Sequence, residues 1–275
     1  MGKFARLAQK IGKQCLPGTV VFRQGDKADS MYLIYSGAFE VWREAEGKRE
    51  SLGKLGPGDV FGEMAIVDQK PRAATVTSLE DSILIPVTAA FLKKNIQKDT
   101  HFIFQIIETL ILRIDSTAED LKQRFAEGAI TEEDLAGENT VDSGPDMINF
   151  LKIFRGYANP EKYFKFDKDD EIFPEGDLGD LMFIILEGTL EISFQTGGKR
   201  HLFARMDRGD FFGESALITD LPRSATAIAG SDLVVLPVVR KDLVEGIMSD
   251  PEAALQLVKI LVLRLRKNLE LLSAN

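Results

Sequence analysis

The sequence predicts a mainly β protein with flanking helices, built as two tandem domains of sandwich or jelly-roll type. Three observations predict it: an internal repeat at a fixed offset, short strand-like runs separated by turn residues, and an apolar helix of heptad character closing each repeat. The offset is 151 residues, held by Gly25/Gly176, Gly37/Gly188, Gly58/Gly209, Gly62/Gly213, Glu63/Glu214, Arg72/Arg223, Thr75/Thr226 and Pro86/Pro237. A period this long denotes whole domains rather than solenoid units, and 275 residues suit two domains of ordinary size.

The elements follow in order. The opening "MGKFARLAQKIGKQ" carries Phe4, Leu7 and Ile11 at helical spacing with lysines between them, and it lacks a long apolar signal core. Gly2 does not make a myristoylation signal, because that motif wants Ser or Thr where Arg6 stands. "TVVFR", "SMYLIYS", "AFEVWRE", "RAATVTS" and "DSILIPV" are rich in β-branched and aromatic residues and are parted by "QGDKAD" and Gly37. Short strands with turns this frequent indicate a sandwich or jelly roll. A closing helix follows, with Phe104, Ile107, Ile111, Ile114, Ala118 and Leu121 stepping by three and four. The acidic, Gly-bearing stretch from Ala126 to Gly144 reads as linker with room for a short helical piece, and Pro145 opens a helix through "MINFLKIFRGYA". The second copy repeats the scheme through "DLMFIILEG", "TLEISF" and "SDLVVLPV", and closes on Leu255, Val258, Val262, Leu265, Leu269 and Leu272. The expected boundaries are 1–125 for the first domain with its closing helix, 126–144 for the linker and 145–275 for the second domain. The seam on each closing helix packs on its own domain, and it leaves open a homodimer through the closing helices or a mobile lid.

Composition narrows the function. Hydrophobic residues make up 44% and charged residues 28%, as in folded globular proteins. A net charge of −9 argues against a nucleic-acid partner, which needs basic patches. Cys15 is the one cysteine, so no intramolecular disulfide forms, and this usage fits the reducing cytoplasm. No apolar run reaches the length of a membrane span, and no Cys/His cluster suggests a metal. "GESAL" at Gly213 is no nucleophile elbow, since Leu217 replaces the second glycine. His101 and His201 have no Ser or Cys partner at a suggestive spacing, so no catalytic residue is expected.

The repeat is tightest in "FGEMAIVDQKPRAAT" (Phe61 to Thr75) and "FGESALITDLPRSAT" (Phe212 to Thr226). Gly62 lets backbone approach a ligand closely. Glu63, Met64 and Ala65 open a helical turn whose unpaired amides point at an anion. Arg72 supplies a planar fork that matches a phosphate, Pro71 fixes the chain before it, and Ala73 and Ala74 leave room. Gly213, Glu214, Ser215, Ala216, Arg223, Ser224 and Ala225 stand in the same places in the second copy. A carboxylate beside a phosphate makes sense if it accepts a hydrogen bond from a sugar hydroxyl, so the set describes a phosphorylated ribose. The plain alternative is an ion pair within each cassette, Glu63 with Arg72.

These two stretches resemble the phosphate-binding cassette of the cyclic nucleotide-binding domain, the family of the regulatory subunits of cAMP-dependent protein kinase and of bacterial catabolite-activator type regulators. The glycines of "RQGDKADSMYLIYSGAFEV" and "GPGDVFGE" fit the same pattern, and the resemblance covers almost the whole chain. It implies two eight-stranded jelly rolls, with Glu63 and Glu214 on the ribose 2′-hydroxyl, and Arg72 and Arg223 on the cyclic phosphate. It further implies amides around Met64–Ala65 and Ser215–Ala216 that help hold the phosphate. Ala73 matches kinase-type cAMP sites, whereas Ser224 resembles the bacterial activators, where that hydroxyl reaches the phosphate. The ligand is then cAMP before cGMP, with no other cofactor. Thr117, Asn268, Arg113 and Arg264 on the closing helices are the base-contact candidates beside plain helix-packing roles, and Phe154 or Tyr157 is the alternative aromatic cap of the first site.

The implied protein is a non-enzymatic cytoplasmic sensor that passes ligand binding to an effector protein of unknown identity. No helix-turn-helix follows the second closing helix, and no Arg-Arg-x-Ala/Ser inhibitor sequence or long N-terminal dimerisation domain accompanies the tandem. A kinase regulatory subunit and a ligand-dead jelly-roll scaffold are the alternatives.

Overall fold

The computed structural model describes residues 5–45, 47–63, 71–96, 100–136 and 163–273. It divides into two compact units, Met1–Leu110 and Ile111–Asn275.

In the first unit, helix α1 (Ala5–Ile11) leads into eight strands. These are β1 (Lys13–Cys15), β2 (Val20–Phe22), β3 (Ser30–Ser36), β4 (Phe39–Ala45), β5 (Lys48–Leu55), β6 (Val60–Phe61), β7 (Thr75–Ser78) and β8 (Ser82–Thr88). They form two antiparallel four-stranded sheets, ordered β1-β8-β3-β6 and β2-β7-β4-β5. Tyr32, Ile34, Phe61 and Leu84 from the first sheet meet Phe39 and Val76 from the second in one core. Each such side chain contributes about 1.5–3 kcal/mol by leaving water. In β3 the five residues from Ser30 to Ile34 are all buried, not just alternate ones. Strand β8 beside it carries α1 and the following helix α2 (Ala89–Ile96), which cover the face that the core leaves.

The second unit repeats the roll. Its strands are β9 (Phe164–Phe166), β10 (Glu171–Phe173), β11 (Leu181–Glu187), β12 (Leu190–Thr196), β13 (Lys199–Met206), β14 (Phe211–Phe212), β15 (Thr226–Ala229) and β16 (Leu233–Val239). The sheets are β14-β11-β16-β9 and β10-β15-β12-β13, the same orders 151 residues on. Even the irregularities repeat: the register shift between Ile34 and Ser36 recurs between Ile185 and Glu187, and that between Val41 and Trp42 recurs between Ile192 and Ser193. The β3–β4 corner explains one repeated glycine. Gly37 has φ +91°, and a Cβ there would lie 1.9 Å from Ser82 Oγ; at Gly188, φ is +85° and the obstacle is the Asp232 carbonyl at 2.1 Å. The two jelly rolls are the mainly β tandem that the repeat predicts.

Helix α3 (Thr100–Ala126) follows the first roll, and the division between the units falls inside it, at Leu110/Ile111, rather than in the acidic stretch expected to be the seam. The reason is burial. Gly128 ends α3 at φ +74°, and helix α4 (Glu132–Ala136) starts on a capping box in which Thr131 Oγ1 accepts from Asp134 N–H and Asp134 Oδ2 from Thr131 N–H. Ile130 and Leu135 are thereby buried with Leu121 and Phe194 in a core of the second unit. Helices α5 (Glu214–Thr219), α6 (Arg240–Ser249) and α7 (Pro251–Ser273) complete that unit. Leu255, Val258, Val262 and Leu265 of the α7 seam are buried by this chain itself, as are Ile107, Ile111 and Leu121 of α3. The helix expected after Pro145 lies outside the described residues.

Candidate functional site

Each cassette places its arginine by backbone first. Arg72 N–H donates to Asp26 O (2.9 Å) and its carbonyl accepts from Gly25 N–H (2.8 Å); Arg223 does the same with Asp177 O (2.8 Å) and Gly176 N–H (2.9 Å). One residue pair further, Thr75 Oγ1 accepts from Gln24 N–H and Thr226 Oγ1 from Glu175 N–H, both at 3.0 Å. The repeated Gly25/Gly176 and Thr75/Thr226 are therefore the two ends of one clasp between the cassette and the β2–β3 or β10–β11 turn.

The guanidinium is fixed next. Arg72 Nη1 donates to Gly62 O (2.9 Å) and Nη2 to Ser30 O (2.7 Å). Arg223 matches it with Gly213 O (2.7 Å) and Leu181 O (2.8 Å). Each fork lies over an aromatic ring, Phe22 at 4.0 Å and Phe173 at 4.1 Å, close enough for cation–π attraction. Gly62 and Gly213 have φ near +70° (69° and 77°), and a Cβ on either would lie 2.6 Å from the arginine Nη1. The close approach that these glycines permit is thus to the guanidinium itself.

Both arginines are only 6% exposed, and burial pushes their pKa down, opposed at Arg223 by Glu214, Asp180 and Asp177 and at Arg72 by Tyr32, Asp29, Glu63 and Asp26. The ordinary guanidinium value is so high that both stay charged at neutral pH. In each, Nε is buried and has no hydrogen-bond partner among the described residues. A buried donor without a partner on a fixed cation calls for an explanation, and an anion is a ligand that it suits.

Glu63 and Glu214 are buried beside these forks. The ion pair weighed within the cassette is not what holds the second copy. Glu214 Oε1 accepts from Arg264 Nη1 of α7 at 2.6 Å, and Arg264 Nη2 donates to Phe211 O at 2.5 Å, its guanidinium 4.2 Å from the Phe211 ring. Arg264, one of the four base-contact candidates, is thus a partner of the acid. Thr117 and Asn268 meet each other: Asn268 Nδ2 donates to Thr117 Oγ1 (3.0 Å) and Ile114 O (3.2 Å), while Thr117 Oγ1 donates back along its own helix to the Arg113 and Ile114 carbonyls. These contacts are helix packing.

Ser215 and Ala216 lie in α5, entered through left-handed Gly213. Ser215 Oγ donates to the Asp115 carboxylate of α3, and Ser224 lines the same cavity. Lys122, two turns along α3, donates to Ser224 O (2.8 Å) and Glu175 (2.6 Å). A cavity of about 150 Å³ opens here, lined by Gly213, Ala225, Arg223 and Lys267 among others. In the first copy Ala73 and Ala74 follow Arg72, whereas Met64 and Ala65, like Phe154 and Tyr157, lie outside the described residues. His201 packs between Phe125 and Phe194 and hydrogen-bonds Glu132 at 2.9 Å, a strand-face role.

Four side chains of these cradles escape the sequence reading: Phe22, Phe173, Asp115 and Lys122. The two phenylalanines carry a signal, since they too stand 151 residues apart. Asp115 and Lys122 carry none, because Arg266 and Ser273 occupy their places in the second copy.

A double β roll with a buried arginine fork in each copy defines a class of anion-binding modules, and comparison with known proteins gives the family. The family model for the cyclic nucleotide-binding domain matches residues 13–99 and 163–250, and the chain belongs to that family. Among curated relatives, it is 28% identical over 223 residues to the cAMP-dependent protein kinase regulatory subunit of Yarrowia lipolytica, covering 81% of this chain and 50% of that one. It is 28% identical over 223 residues to the one from Blastocladiella emersonii (80% and 48%). It is 26% identical over 220 residues to the type II regulatory subunit of Drosophila melanogaster (80% and 50%). The chain thus spans about half the length of the curated relatives it matches. No described helix is long and apolar enough to cross a membrane, and no metal-ligand cluster occurs among the described residues.

Proposed function

We propose that the chain is a two-site cyclic nucleotide sensor that transmits binding to a partner protein, with cAMP preferred to cGMP. The observation that carries the reading is the pair of arginine forks, buried and charged, each with an unused Nε donor and each 151 residues from the other. Arg72 and Arg223 take the cyclic phosphate, helped by the amides at Met64–Ala65 and Ser215–Ala216. Glu63 and Glu214 take the ribose hydroxyl. Ala73, at the position where sites favouring cGMP often carry Thr, favours cAMP at the first site.

The sensor has no catalytic step of its own in this reading and works in the cytoplasm. A ligand shifts it only by its different affinity for two states, and the helices after each roll are the elements that report the change. The relatives are named as kinase regulatory subunits, which makes a protein kinase the first partner to try. The binding modules lie within the expected domains 1–125 and 145–275. A homodimer through the closing helices would have to use the partly exposed seam residues, such as Ile114 and Leu269, since Ile107, Ile111, Val258 and Val262 are already buried in one chain.

Calorimetric titration of cAMP and cGMP into wild type, Arg72→Glu and Arg223→Glu tests the assignment. Two sites are expected in wild type, and each substitution removes one. Losing a buried charged partner costs about 2–5 kcal/mol, roughly 30- to 4,000-fold in affinity. No binding at millimolar nucleotide would instead favour the ligand-dead scaffold.

A further inference from the structure

On the face that α3 turns to the second cassette stand Asp115, Ala118 and Lys122, spaced three and four residues apart and so aligned along one side of the helix. Asp115 accepts a hydrogen bond from one cassette hydroxyl, Ser215 Oγ, and Ser224, the other, lines the same cavity. These residues flank the Arg223 fork in the cassette that ought to receive the phosphate. Lys122 ties the same helix face to Ser224 O and Glu175. A carboxylate, an anion with two acceptor oxygens, therefore sits on a cassette donor that suits a phosphate, and it is supplied by the chain itself.

We propose that Asp115 is a built-in competitor at the second cradle: its carboxylate holds the Ser215 hydroxyl there, and an incoming cyclic phosphate has to displace it. The inference rests on the reading of the cradle as a cyclic nucleotide site and assigns a residue that sets the affinity of that site. Two further observations support it. The cavity left beside Asp115, about 150 Å³, is below the roughly 300–1,000 Å³ usual for small-molecule pockets. Among the described residues the device also has no twin. Arg266 holds the position in α7 equivalent to Asp115 and pairs with Glu270 at 2.6 Å. The second site then answers only to ligand able to expel Asp115.

Displacement is feasible because the docked carboxylate is not comfortable. Burial and the nearby Glu214 raise its pKa, and the two serine hydroxyls and Lys122 offset this only in part. A cyclic phosphate brings an anion that the Arg223 Nε–H is free to meet, which Asp115 does not use.

The test is calorimetric titration of cAMP into the full chain, as wild type, Asp115→Ala, Asp115→Asn and the control Asp120→Asn, with Arg223→Glu identifying which phase belongs to the second site. Asp120 is an exposed acid on the same helix. We expect Asp115→Ala to tighten the second site about tenfold or more, Asp115→Asn to do so by less, and the first site and the Asp120 variant to stay at wild-type affinity. Should Asp115→Ala not fold, the isosteric Asn variant carries the test. Anything above threefold, confined to the second site, supports the competitor. A smaller change, a weakening, or an equal gain from Asp120→Asn overturns it while leaving the sensor reading intact. Absence of binding in every variant overturns the sensor reading and the competitor with it.

Discussion

Arg264 offers a sharp perturbation, because it and Glu214 form an ion pair with side chains only 10% and 12% exposed. Substitution of one partner leaves the other charged and desolvated, and such losses cost about 3–5 kcal/mol. Arg264→Met should fall in that range. The Met side chain fills much of the volume, but Glu214 is left without its counter-ion, and the Phe211 carbonyl loses the donor now at 2.5 Å. Glu214→Gln should be milder by comparison. The guanidinium keeps the Phe211 carbonyl, the Phe211 ring at 4.2 Å and an amide oxygen in place of the carboxylate. Exchanging a charged acceptor for a neutral one costs about 1 kcal/mol. For a domain of this size each kcal/mol moves the midpoint by about 2–4 °C, so a drop of roughly 6–20 °C is expected for Arg264→Met and under 5 °C for Glu214→Gln. Thermal and urea melts followed by far-UV circular dichroism measure both. Trp42, the one tryptophan, lies in β4 and reports the first roll by fluorescence. If Arg264→Met melts within 1 kcal/mol of wild type, or if Glu214→Gln is the more damaging of the two, the pair is not the buried anchor described.

Other outcomes follow from the same geometry. Gly213→Ala forces a side chain into φ +77° and brings Cβ to 2.6 Å from Arg223 Nη1. It should destabilise the protein by about 1–3 kcal/mol and abolish second-site binding in the calorimeter while sparing the first site. Phe173→Leu removes the ring 4.1 Å from Arg223 and should weaken cAMP at the second site several-fold, the equivalent of about 0.5–2 kcal/mol. The pH dependence of stability should carry the mark of Asp115. Its carboxyl is raised by burial, so the folded state holds a proton that the unfolded chain has released. The stabilisation is complete below the ordinary aspartate value of about 3.9 and is lost as pH rises through the raised one. Unfolding free energies of wild type minus Asp115→Asn, measured from pH 3.5 upward in about half-unit steps, should therefore decline with pH; a flat difference would contradict the assignment.

The strands that were legible were those with a buried face. "SMYLIYS" and "DSILIPV" announce themselves because apolar residues gather where the two sheets meet. Strand β5, "KRESLGKL", does not: its residues are exposed save the last, which is intermediate, and its extended form is imposed by pairing with β4 in the register Phe39 to Leu55. The cassettes were legible because duplication left a second reading of each position, and Glu63, Arg72, Glu214 and Arg223 all lie buried at the cradles. What the sequence withheld were contacts with no twin. Asp115 reaches Ser215 across 100 residues of chain, and one aspartate in a polar helix face gives no sign of what it will touch. For Thr117 and Asn268 two roles, base contact and helix packing, were open from sequence. Their matched positions did not choose between these roles, and in the structure the helices use the match to bond one to the other at 3.0 Å.

Helix α3 has 27 residues, of which the first eleven belong to one compact unit and the remainder to the other. A cut at either end of the expected linker therefore strips packing from the second unit. A fragment ending at 125 would carry Leu121 stripped of Ile130, Leu135 and Phe194, an oily stub inviting aggregation. One starting at 145 would leave Phe194 uncovered and Ser215 without its resident acid. Dissection into isolated halves should therefore give material that behaves worse than the parent, and an apparent affinity measured on the detached second half would be that of a pocket already unlatched.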